Sequence, residues 1–419
     1  VDPMKREVSC TVTVSIESVS VNSIEQAAFE GAREAGKKLF IGLLEVIEGS
    51  LPKDRECECG GQLESRGRVA RELMTVAGDV AFTRQKLRCL KCGKERYPLD
   101  EAVGIAGRRL VTTGLKEKVL WLATEMAYDR ASLGMEKMCH IAISDGTIKN
   151  AVMEEGGEVI KQKEEERKRV WEEGGDVPAG EGKRRVFVQV DGTGVNDRAT
   201  RGWFEAKVGV IFSETKEGSK DRVEILDKRT YGTVEGISTF REDFVIEAEK
   251  YGVFQSQEII FVSDGGTWCQ QLKEDYFPEA ISVLDFWHLA RNIKVCLGME
   301  RKGLIDELLN LAGKGKPDEM GERLEELMRQ SRDPTLRVKI GELITYIENN
   351  REGIENAPKV DFYGSGAIEK AIDVTICRRF KKRGMSWYVH KANPLLALRL
   401  LKLNGEWEAY WQQKGLITV

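Results

Sequence analysis

The sequence predicts a multidomain protein that contains an α/β domain, and three observations lead to this fold class. The chain has 419 residues, more than one hydrophobic core usually supports, which favours two to four domains. In its second half, short apolar runs typical of buried strands alternate with segments of helical periodicity. In its first half, four cysteines fall within one short segment, which is typical of a small separate module.

The composition is that of a folded globular protein. Hydrophobic residues make up 41% of the chain and charged residues 32%, a balance that excludes general disorder. No apolar run approaches the ~20 residues of a membrane span, and Val1 to Arg6 lack the apolar stretch of a secretion signal. We therefore expect a cytoplasmic protein.

Charge is distributed unevenly. The net charge of −4 gives no general argument for nucleic-acid binding, so local patches matter more. Between positions 359 and 402, however, the sequence has ten Lys or Arg residues against three Asp or Glu. A local excess of cations of this kind is what contact with a phosphate backbone requires.

The first half of the chain begins with a predicted helix and a short module. Residues 22–49 place apolar side chains at helical spacing and predict one amphipathic helix, which Gly49-Ser50-Leu51-Pro52 ends. Residues 53–101 form a module that carries the clustered cysteines, with strand-like runs at 77–90.

Helices and a linker follow this module. Three helices are predicted over 115–155, with a break near Ile141 to Ser144. A strongly charged helix continues over 153–173, and the run from Gly174 to Gly180 is the clearest linker of the chain.

After the linker the pattern changes to buried strands. Val186 to Val190 is a near-continuous apolar run, typical of a central strand, that Asp191-Gly192 stops. The remaining predicted elements are strands at 206–212, 222–227, 259–262 and 281–284, a helix at 237–251, and helical periodicity throughout 286–357. Strands followed by a helical block and a late helix indicate an α/β layout.

The clustered cysteines are Cys57-x-Cys59 and Cys89-x-x-Cys92. Paired thiolates about thirty residues apart fit a structural zinc site of the zinc-ribbon type. The second pair, followed by Gly93, has the spacing of a zinc knuckle, whereas the first departs from the commoner Cys-x-x-Cys. The alternative is that these cysteines are buried or free. A zinc ion here would serve folding and DNA contact, not chemistry.

The three helices over 115–155 suit a helix-turn-helix. The last of them is the candidate recognition helix, which Ser144 caps and which carries Lys149 and Asn150 as candidate DNA contacts. The alternative is a trihelical unit that binds nothing.

Three aspartates, Asp191, Asp264 and Asp285, lie just past the carboxyl ends of three predicted apolar strands. Strand ends are where α/β sheets present ligand-binding side chains. Carboxylates gathered there raise one another's pKa unless a cation is present, and such oxygen ligands suit Mg²⁺. Two ions about 4 Å apart can activate an attacking hydroxyl and stabilise the leaving oxygen of a phosphodiester. The alternative is that the Asp-Gly pairs are simple turns.

Four motifs occur in a fixed order in the second half. They are Val190-Asp191-Gly192-Thr193-Gly194, Ser263-Asp264-Gly265-Gly266-Thr267-Trp268, Leu284-Asp285-Phe286-Trp287-His288-Leu289 and Gly364-Ser365-Gly366-Ala367-Ile368-Glu369-Lys370. With the tail Ile376 to Trp387, they resemble bacterial insertion-sequence transposases of the ISLre group, long described as an uncharacterised protein family. They are more distantly similar to Kra-type and Mutator-like transposases. The resemblance runs from about Lys183 to Trp411 and is weaker through the amino-terminal half.

The resemblance implies an RNase H-like catalytic core with an all-helical insertion. It places Asp191 on the first strand of that core, Asp264 after the fourth, and Glu369 on the closing helix. These three carboxylates would hold two Mg²⁺ or Mn²⁺ ions. Glu369 is selected only by its place after Gly364-Ser365-Gly366, and the block 290–358 is the implied insertion.

Two further motifs gain a role from the same resemblance. Asp285-x-x-His288 matches a motif that these superfamilies carry after the fifth strand, which implies a supporting position near the active site. The alternative for His288 is a structural hydrogen bond. Trp268, four residues beyond Asp264, either stacks on a displaced DNA base or packs in the core.

A run of cations follows Glu369 and is predicted to clamp DNA phosphates beside the carboxylates. Its members are Arg378, Arg379, Lys381, Lys382 and Arg383. The alternative is a solvated helix face.

The predicted organisation has seven parts. They are an N-terminal helical segment (1–52), a zinc-ribbon-like module (53–101), a helix-turn-helix-like module (102–155), a charged helix with linker (156–182), the RNase H-like core (183–289 with 359–403), the helical insertion (290–358) and a C-terminal tail (404–419).

The sequence as a whole predicts a DNA transposase that cleaves DNA at element ends and joins them to target DNA by a two-metal mechanism. Its implied partners are the double-stranded DNA of terminal inverted repeats and of the target, bound by a homodimer or larger assembly in association with the nucleoid. Two alternatives stay open, namely an RNase H-like nuclease or resolvase without strand transfer, and a domesticated DNA-binding regulator.

Overall fold

The chain folds as a mixed α/β protein with two β-sheets. The structure is a computed structural model that describes residues 6–52, 56–105, 111–217, 223–360 and 366–416. The chain divides into two compact units, one of residues 1–151 with 411–419 and one of residues 152–410.

The described residues contain the following elements. The strands are β1 (Leu63–Thr75), β2 (Gly78–Cys89), β3 (Glu95–Arg96), β4 (Val186–Asn196), β5 (Trp203–Glu217), β6 (Val223–Thr233), β7 (Ile259–Ser263) and β8 (Ile281–Leu284). The helices are α1 (Val21–Ser50), α2 (Pro98–Ala102), α3 (Thr113–Ala123), α4 (Tyr128–Cys139), α5 (Asp145–Trp171), α6 (Ile237–Tyr251), α7 (Thr267–Tyr276), α8 (Phe286–Leu297), α9 (Lys302–Gly313), α10 (Pro317–Gln330), α11 (Pro334–Asn349), α12 (Arg351–Asn356), α13 (Gly366–Ile372), α14 (Arg378–Phe380), α15 (Val389–Leu403) and α16 (Trp407–Gln413). None of these helices is both long enough and apolar enough to cross a membrane.

The first unit is built around an antiparallel sheet in the order β1-β2-β3. Along the first half of β2, buried and exposed side chains alternate, which is the pattern of a sheet with one face on a core. The long helix α1 packs on this sheet, and Leu44, Leu73, Val80 and Phe82 form the core between them. In the same unit α3 packs against α4.

The second unit is organised by a five-stranded sheet in the order β6-β5-β4-β7-β8. β4, β5 and β6 are antiparallel neighbours, whereas β4, β7 and β8 run parallel. β4 is the central strand, and its residues 186 to 190 are all buried. Burial on both faces explains the near-continuous apolar run in the sequence.

Helices cover both faces of this sheet. On one face, Val186, Val188 and Val190 of β4 pack with side chains of α6 and α7. On the other face, the side-chain oxygen of Gln189 accepts a hydrogen bond of 3.0 Å from the backbone N–H of Ile368 in α13. α15 packs against β6. The carboxyl-terminal helices are therefore part of the core that surrounds β4.

Five helices, α8 to α12, form a helical block between β8 and α13. Its interior is apolar, with Leu308, Met320, Leu324, Ile340 and Ile347 completely buried. α12 returns to pack against β8. The block is thus attached to the strand that Asp285 follows.

Most predicted elements agree with the structure. α1, α6, β7 and β8 lie within one residue of their predicted bounds, and β5 and β6 extend beyond theirs because the two strands continue to pair with each other. Arg222, the predicted start of β6, lies outside the described residues. One prediction is wrong: β4 does not stop at Asp191-Gly192 but continues to Asn196, because β5 provides hydrogen-bond partners along its whole length.

A buried ion-pair network joins α5, α6 and β6 within the second unit. Glu247 of α6 is 2% exposed and lies 2.7 Å from the Lys163 Nζ and 2.5 Å from the Arg229 guanidinium. Burial alone would raise the pKa of Glu247, but the charges of Lys163, Arg229 and Lys250 outweigh burial and lower the pKa to about 2.

We expect Glu247→Gln to destabilise the protein by about 3 kcal/mol near neutral pH, because it leaves the partly buried cations Lys163 and Arg229 without this carboxylate. A carboxyl group with a lowered folded-state pKa stabilises the fold above its unfolded pKa, and the contribution is lost as pH falls toward the folded pKa. The difference between the two proteins should therefore shrink between about pH 4.5 and about pH 2.

Urea unfolding of both proteins at neutral and acid pH measures this difference. Glu274→Gln is the matched control, because Glu274 is exposed in the same unit. Equal stability of wild type and Glu247→Gln at neutral pH would contradict the expectation.

Candidate functional site

Three aspartates lie in register at one edge of the sheet in the second unit. The parallel pairing of β4 with β7, and of β7 with β8, runs to within two residues of Asp191, Asp264 and Asp285. Continuing each register places the three residues side by side across adjacent strands. Asp264 and Asp285 follow their strands as predicted, whereas Asp191 lies within β4.

The electrostatic environment of Asp191 shows that these carboxylates influence one another. Burial is the main effect that raises the pKa of Asp191 to about 6. The negative charges of Asp264 and Asp285 act in the same direction, while the backbone N–H of Gly192, 2.6 Å from the carboxylate, opposes them. A carboxylate in such surroundings is stabilised by a cation.

The turn after β7 fixes the position of Asp264. Its carboxylate accepts a hydrogen bond of 2.8 Å from the Gly266 backbone N–H, and its backbone oxygen accepts one of 2.8 Å from the Tyr346 hydroxyl. Gly265 has a φ of +80°, and a Cβ there would lie 2.3 Å from the side-chain oxygen of Asn350. Only glycine fits such a position. Tyr346 and Asn350 lie on α11 and just after it, so the helical block holds this turn.

Asp285 and His288 form a bonded pair at the start of α8. Asp285 is 2% exposed, and its carboxylate caps the helix by accepting hydrogen bonds from the backbone N–H groups of Trp287 (3.3 Å) and His288 (3.2 Å). The same carboxylate bonds to Nδ1 of His288. This bond raises the pKa of His288, and the charges of Asp191 and Asp264 add to the effect. His288 therefore has a structural hydrogen bond and also belongs to the charge cluster of the three aspartates.

Glu369 lies on α13, which packs over β4 and β5. The preceding residue, Ile368, is bonded to Gln189, and side chains two residues apart on a strand share a face, so α13 covers the face of Asp191. In the described part of the chain, no three acidic or histidine side chains of this site have ligand atoms that all lie within 4.8 Å of one another. Gly364 and Ser365, which precede α13 in the predicted motif, lie outside the described residues.

Trp268 packs in the core of the second unit. Its ring meets that of Phe240 edge-on, with 5.6 Å between ring centres, and the side chain is only partly exposed. Of the two alternatives for Trp268, this position favours core packing. The next residue, Cys269, is buried with its Sγ 3.7 Å from a carboxylate oxygen of Asp264, and burial raises the pKa of its thiol.

The predicted run of cations does not act as one surface. Arg379 is 1% exposed, and its guanidinium carbon lies 5.1 Å from the centre of the Trp387 ring. The expectation that Arg379 contacts DNA is therefore corrected, because a side chain buried in this way does not reach a phosphate. Arg378 is exposed and lies 2.9 Å from the carboxylate of Asp373.

The run has three further exposed cations, namely Lys381, Lys382 and Arg383. The Lys381 Nζ lies 2.5 Å from the Thr193 hydroxyl. Thr193 is two residues beyond Asp191 on the same strand, so Lys381 brings a positive charge close to the row of aspartates.

The four clustered cysteines come together in the first unit. Their sulfur atoms all lie within 4.8 Å of one another, with 3.8 Å between Cys57 and Cys92 and 3.5 Å between Cys59 and Cys89. Four ligands at a Zn–S distance of ~2.3 Å in a tetrahedron are ~3.8 Å apart. The group could therefore hold a metal ion such as zinc, and the Cys-x-Cys spacing of the first pair does not prevent its assembly.

Backbone hydrogen bonds favour the thiolate form of Cys89, which is the form that binds a metal. The backbone N–H groups of Cys92 and Lys91, each 3.4 Å from the Cys89 sulfur, contribute to lowering the pKa of Cys89 to about 6. Hydrogen bonds to Cys92 and Cys89 raise the pKa of Cys59 to about 11. Metal binding to such a group releases the remaining thiol protons.

The three helices predicted over 115–155 are α3, α4 and the start of α5. The predicted cap is confirmed, because the Ser144 hydroxyl accepts a hydrogen bond of 3.0 Å from the backbone N–H of Thr147. Lys149 and Asn150 are exposed on α5. Their contact with DNA stays a prediction.

Known proteins similar to this chain share one family name. The model of an uncharacterised protein family (UPF0236) matches residues 15–414. A UPF0236 protein of Caldanaerobacter subterraneus subsp. tengcongensis is 24% identical over 376 residues, which are 88% of this chain and 75% of the relative. A UPF0236 protein of Streptococcus gallolyticus, named for the vanSb 3′ region, is 24% identical over 357 residues, which are 82% of this chain and 75% of the relative.

The name of the Caldanaerobacter relative carries eleven locus tags, and that of another relative in the same strain, 23% identical over 376 residues, carries four. Many copies of a protein in one genome are suggestive of mobile elements. None of these names states an activity. Since the family model matches nearly the whole chain, the protein belongs to the uncharacterised protein family UPF0236.

Proposed function

We propose that this protein is a DNA transposase, which cleaves DNA at the ends of a mobile element and joins the released ends to target DNA. The observation that carries the proposal is the row of Asp191, Asp264 and Asp285 in register on β4, β7 and β8, with burial and like charge raising the pKa of Asp191. The repeated copies of relatives within one genome support the same proposal.

The proposed core is RNase H-like. The strand order β6-β5-β4-β7-β8, with three antiparallel strands followed by two parallel ones, supports this assignment. β4 is then the first strand of the core and β7 the fourth, which agrees with the positions that the resemblance implies for Asp191 and Asp264. The block α8 to α12 takes the place of the implied insertion.

Asp191 and Asp264 would hold Mg²⁺ or Mn²⁺, and Glu369 would complete the set from α13. The donors fit such ions, because carboxylate oxygens are the ligands that Mg²⁺ prefers and the raised pKa of Asp191 is relieved by a cation. Ions bound there supply charge stabilisation at the attacking and leaving oxygens of a phosphodiester. Glu369 enters this set through the resemblance and the placement of its helix, not through a compact ligand cluster.

The remaining residues of the site position these groups. Gly266 and Tyr346 hold Asp264, and Asp285 orients His288 toward the charge cluster. Exposed cations after α14, such as Lys381, would bind the phosphates of the DNA strand that is cut.

The proposed reaction has two steps, and the number of phosphodiester bonds stays the same in the second. In the first step water attacks the phosphorus at the element end, the P–O3′ bond breaks, and a 3′-hydroxyl and a 5′-phosphate are released. In the second step this 3′-hydroxyl attacks a phosphate of the target and displaces the target's own 3′ oxygen. No nucleotide cofactor is required.

The first unit would recognise DNA. We assign the cysteine cluster a structural zinc ion and α3 to α5 the reading of element ends, with the protein acting as a dimer or larger assembly at the nucleoid. The exposed positions of Lys149 and Asn150 support this assignment.

The test is incubation of the full chain with DNA that carries the sequences flanking its gene, with Mg²⁺ or Mn²⁺, and separation of nicked and joined products on gels. The proposal expects both products. Nicks without joining would favour the nuclease alternative, and binding without nicks would favour a DNA-binding regulator.

A further inference from the structure

Beyond Asp191, β4 and β5 continue as a two-stranded hairpin that leaves the sheet. Its tip is closed by a hydrogen bond of 3.0 Å from the Asp197 backbone N–H to the Gly202 carbonyl oxygen. The Asp197 carboxylate accepts further hydrogen bonds of 2.8 Å from the Ala199 backbone N–H and the Thr200 hydroxyl. The tip is therefore held in one conformation.

The chain that follows α14 docks on this hairpin. The Trp387 backbone N–H donates to the Asn196 carbonyl oxygen, and the Arg198 backbone N–H donates to the Trp387 carbonyl oxygen, each at 2.9 Å. The Asn196 side-chain amide donates to the Met385 carbonyl oxygen at 3.3 Å. These bonds hold the chain that follows α14 against the hairpin tip.

This surface, here named the hairpin surface, is rich in exposed cations. It consists of Arg198, Arg201, Trp203, Lys382 and Arg383. The carboxylate of Asp197 bonds within its own loop, where Arg198 and Arg201 outnumber it. Arg201 has a φ of +60°, a strained conformation for any residue but glycine, of the kind that clusters at functional sites.

An aromatic side chain stands among the cations. Trp203 is 70% exposed, more than any other of the eight tryptophans, all of which are described. A Cβ on Gly194 would lie 3.4 Å from the Trp203 ring, so the absence of a side chain there lets the ring rest against the strand. An indole supported from one side and largely open to solvent is a platform on which a planar group can stack.

We infer that the hairpin surface binds an unpaired nucleotide of DNA, with the base stacked on Trp203 and the flanking phosphates held by the cations. Exposed aromatic rings beside cations are the combination that binds single-stranded nucleic acid. A duplex offers Trp203 no free base face, so the surface distinguishes unpaired from paired DNA.

The inference rests on the proposed function, because it assigns this nucleotide to the DNA that the carboxylates act on. Trp203 pairs with Asn196, five residues beyond Asp191 on β4. Five residues of strand span ~17 Å, a distance that a few nucleotides cover. Residues an odd number of positions apart face opposite sides of a strand, so a DNA strand that reaches both the row of aspartates and Trp203 passes around the edge of the hairpin.

The experiment compares two labelled DNAs, a plain duplex and the same duplex with a short unpaired bubble that contains 2-aminopurine. Binding to the full chain is measured without added Mg²⁺, so that strand cleavage does not enter. Trp203→Ala should weaken binding to the bubble about 5- to 150-fold and abolish quenching of 2-aminopurine, while duplex binding stays nearly unchanged. Trp203→Phe should retain most of the affinity.

Two matched controls distinguish the loss of stacking or charge at the hairpin surface from a general loss of stability. Trp171→Ala removes a tryptophan that is 40% exposed elsewhere in the second unit, and Arg329→Ala removes an exposed cation of the helical block. Neither should change bubble binding. Arg198→Ala should weaken binding to both DNAs. It should also reduce the slope of log K against log salt concentration by about one.

Unchanged bubble binding by Trp203→Ala would overturn the inference. A wild-type protein that prefers the bubble through Trp203 but never cleaves or joins DNA would support the hairpin surface and refute the transposase. Cleavage and joining of DNA with no contribution from Trp203 would support the transposase and refute the hairpin surface.

Discussion

Asp191→Asn is expected to abolish DNA strand cleavage, with a loss of about 10³-fold or more, while the fold and DNA binding persist. Asp191 is at one end of the row of carboxylates, on the middle strand of the sheet, and it interacts electrostatically with Asp264, Asp285 and His288. An amide of the same shape keeps the hydrogen bond to Gly192 possible but removes the charge that holds a cation. Gel assays of nicking and joining with Mg²⁺ measure the loss.

Thermal unfolding gives an independent readout for the same variant. Burial raises the folded-state pKa of Asp191 to about 6, above its value in the unfolded chain. Ionisation of Asp191 at higher pH therefore lowers the free energy of unfolding. Asp191→Asn should therefore raise the Tm at about pH 7.5 without divalent cations. Added Mg²⁺ should raise the Tm of the wild type and not that of the variant.

Asp275→Asn is the matched control, because Asp275 is an exposed aspartate of the same unit, at the end of α7. It should cleave DNA as the wild type does and show the same response to Mg²⁺. Retention of cleavage by Asp191→Asn would rule out a metal centre on β4.

The sequence predicts the row of aspartates because its signals are local. A buried central strand needs an uninterrupted apolar run, and the chain must turn where that run ends, so Asp264 and Asp285 are visible as strand ends. Glycine at Gly265 and Gly266 marks the turn itself. The same reasoning failed at Asp191, because β5, the next strand in the sequence, pairs with β4 beyond its glycines and so extends it.

What the sequence could not predict depends on long-range packing. Tyr346 of α11 and Asn350 directly after it hold the Asp264 turn from the helical block, and nothing near them in the sequence indicates this role. Arg379 looks like its exposed neighbours, yet tertiary packing buries it on Trp387. Trp203 carries no motif, and the docking of the loop after α14 adds distant cations to Arg198 and Arg201, its neighbours in the sequence.

The cysteine cluster leads to the second large effect, which concerns folding of the first unit. Cys89 ends β2, whereas Cys57 and Cys59 precede β1, so a bound metal would tie the two ends of this antiparallel pair together. The local hydrophobic cluster is small, formed by Cys57, Leu63 and Cys89 with Leu87 packed against it. Apolar burial alone therefore contributes little here, and structural zinc sites supply folding free energy directly, on the order of 10 kcal/mol in small domains.

We expect Cys89→Ser to lose bound zinc, which the wild type should carry at one ion per chain by elemental analysis, and to open the segment around 56–97 to limited proteolysis. Cys10→Ser is the matched control, because Cys10 is exposed and outside the cluster; it should keep its zinc and its protease resistance. Strong chelators should reproduce the Cys89→Ser pattern in the wild type, and added zinc should reverse it. The second unit has its own core, so its protease-resistant fragment should persist in every case. If the zinc-free wild type kept the same cleavage pattern, the four thiols would be a packing cluster and not a metal site, since removing an ion that supplies folding free energy must expose the backbone that it holds.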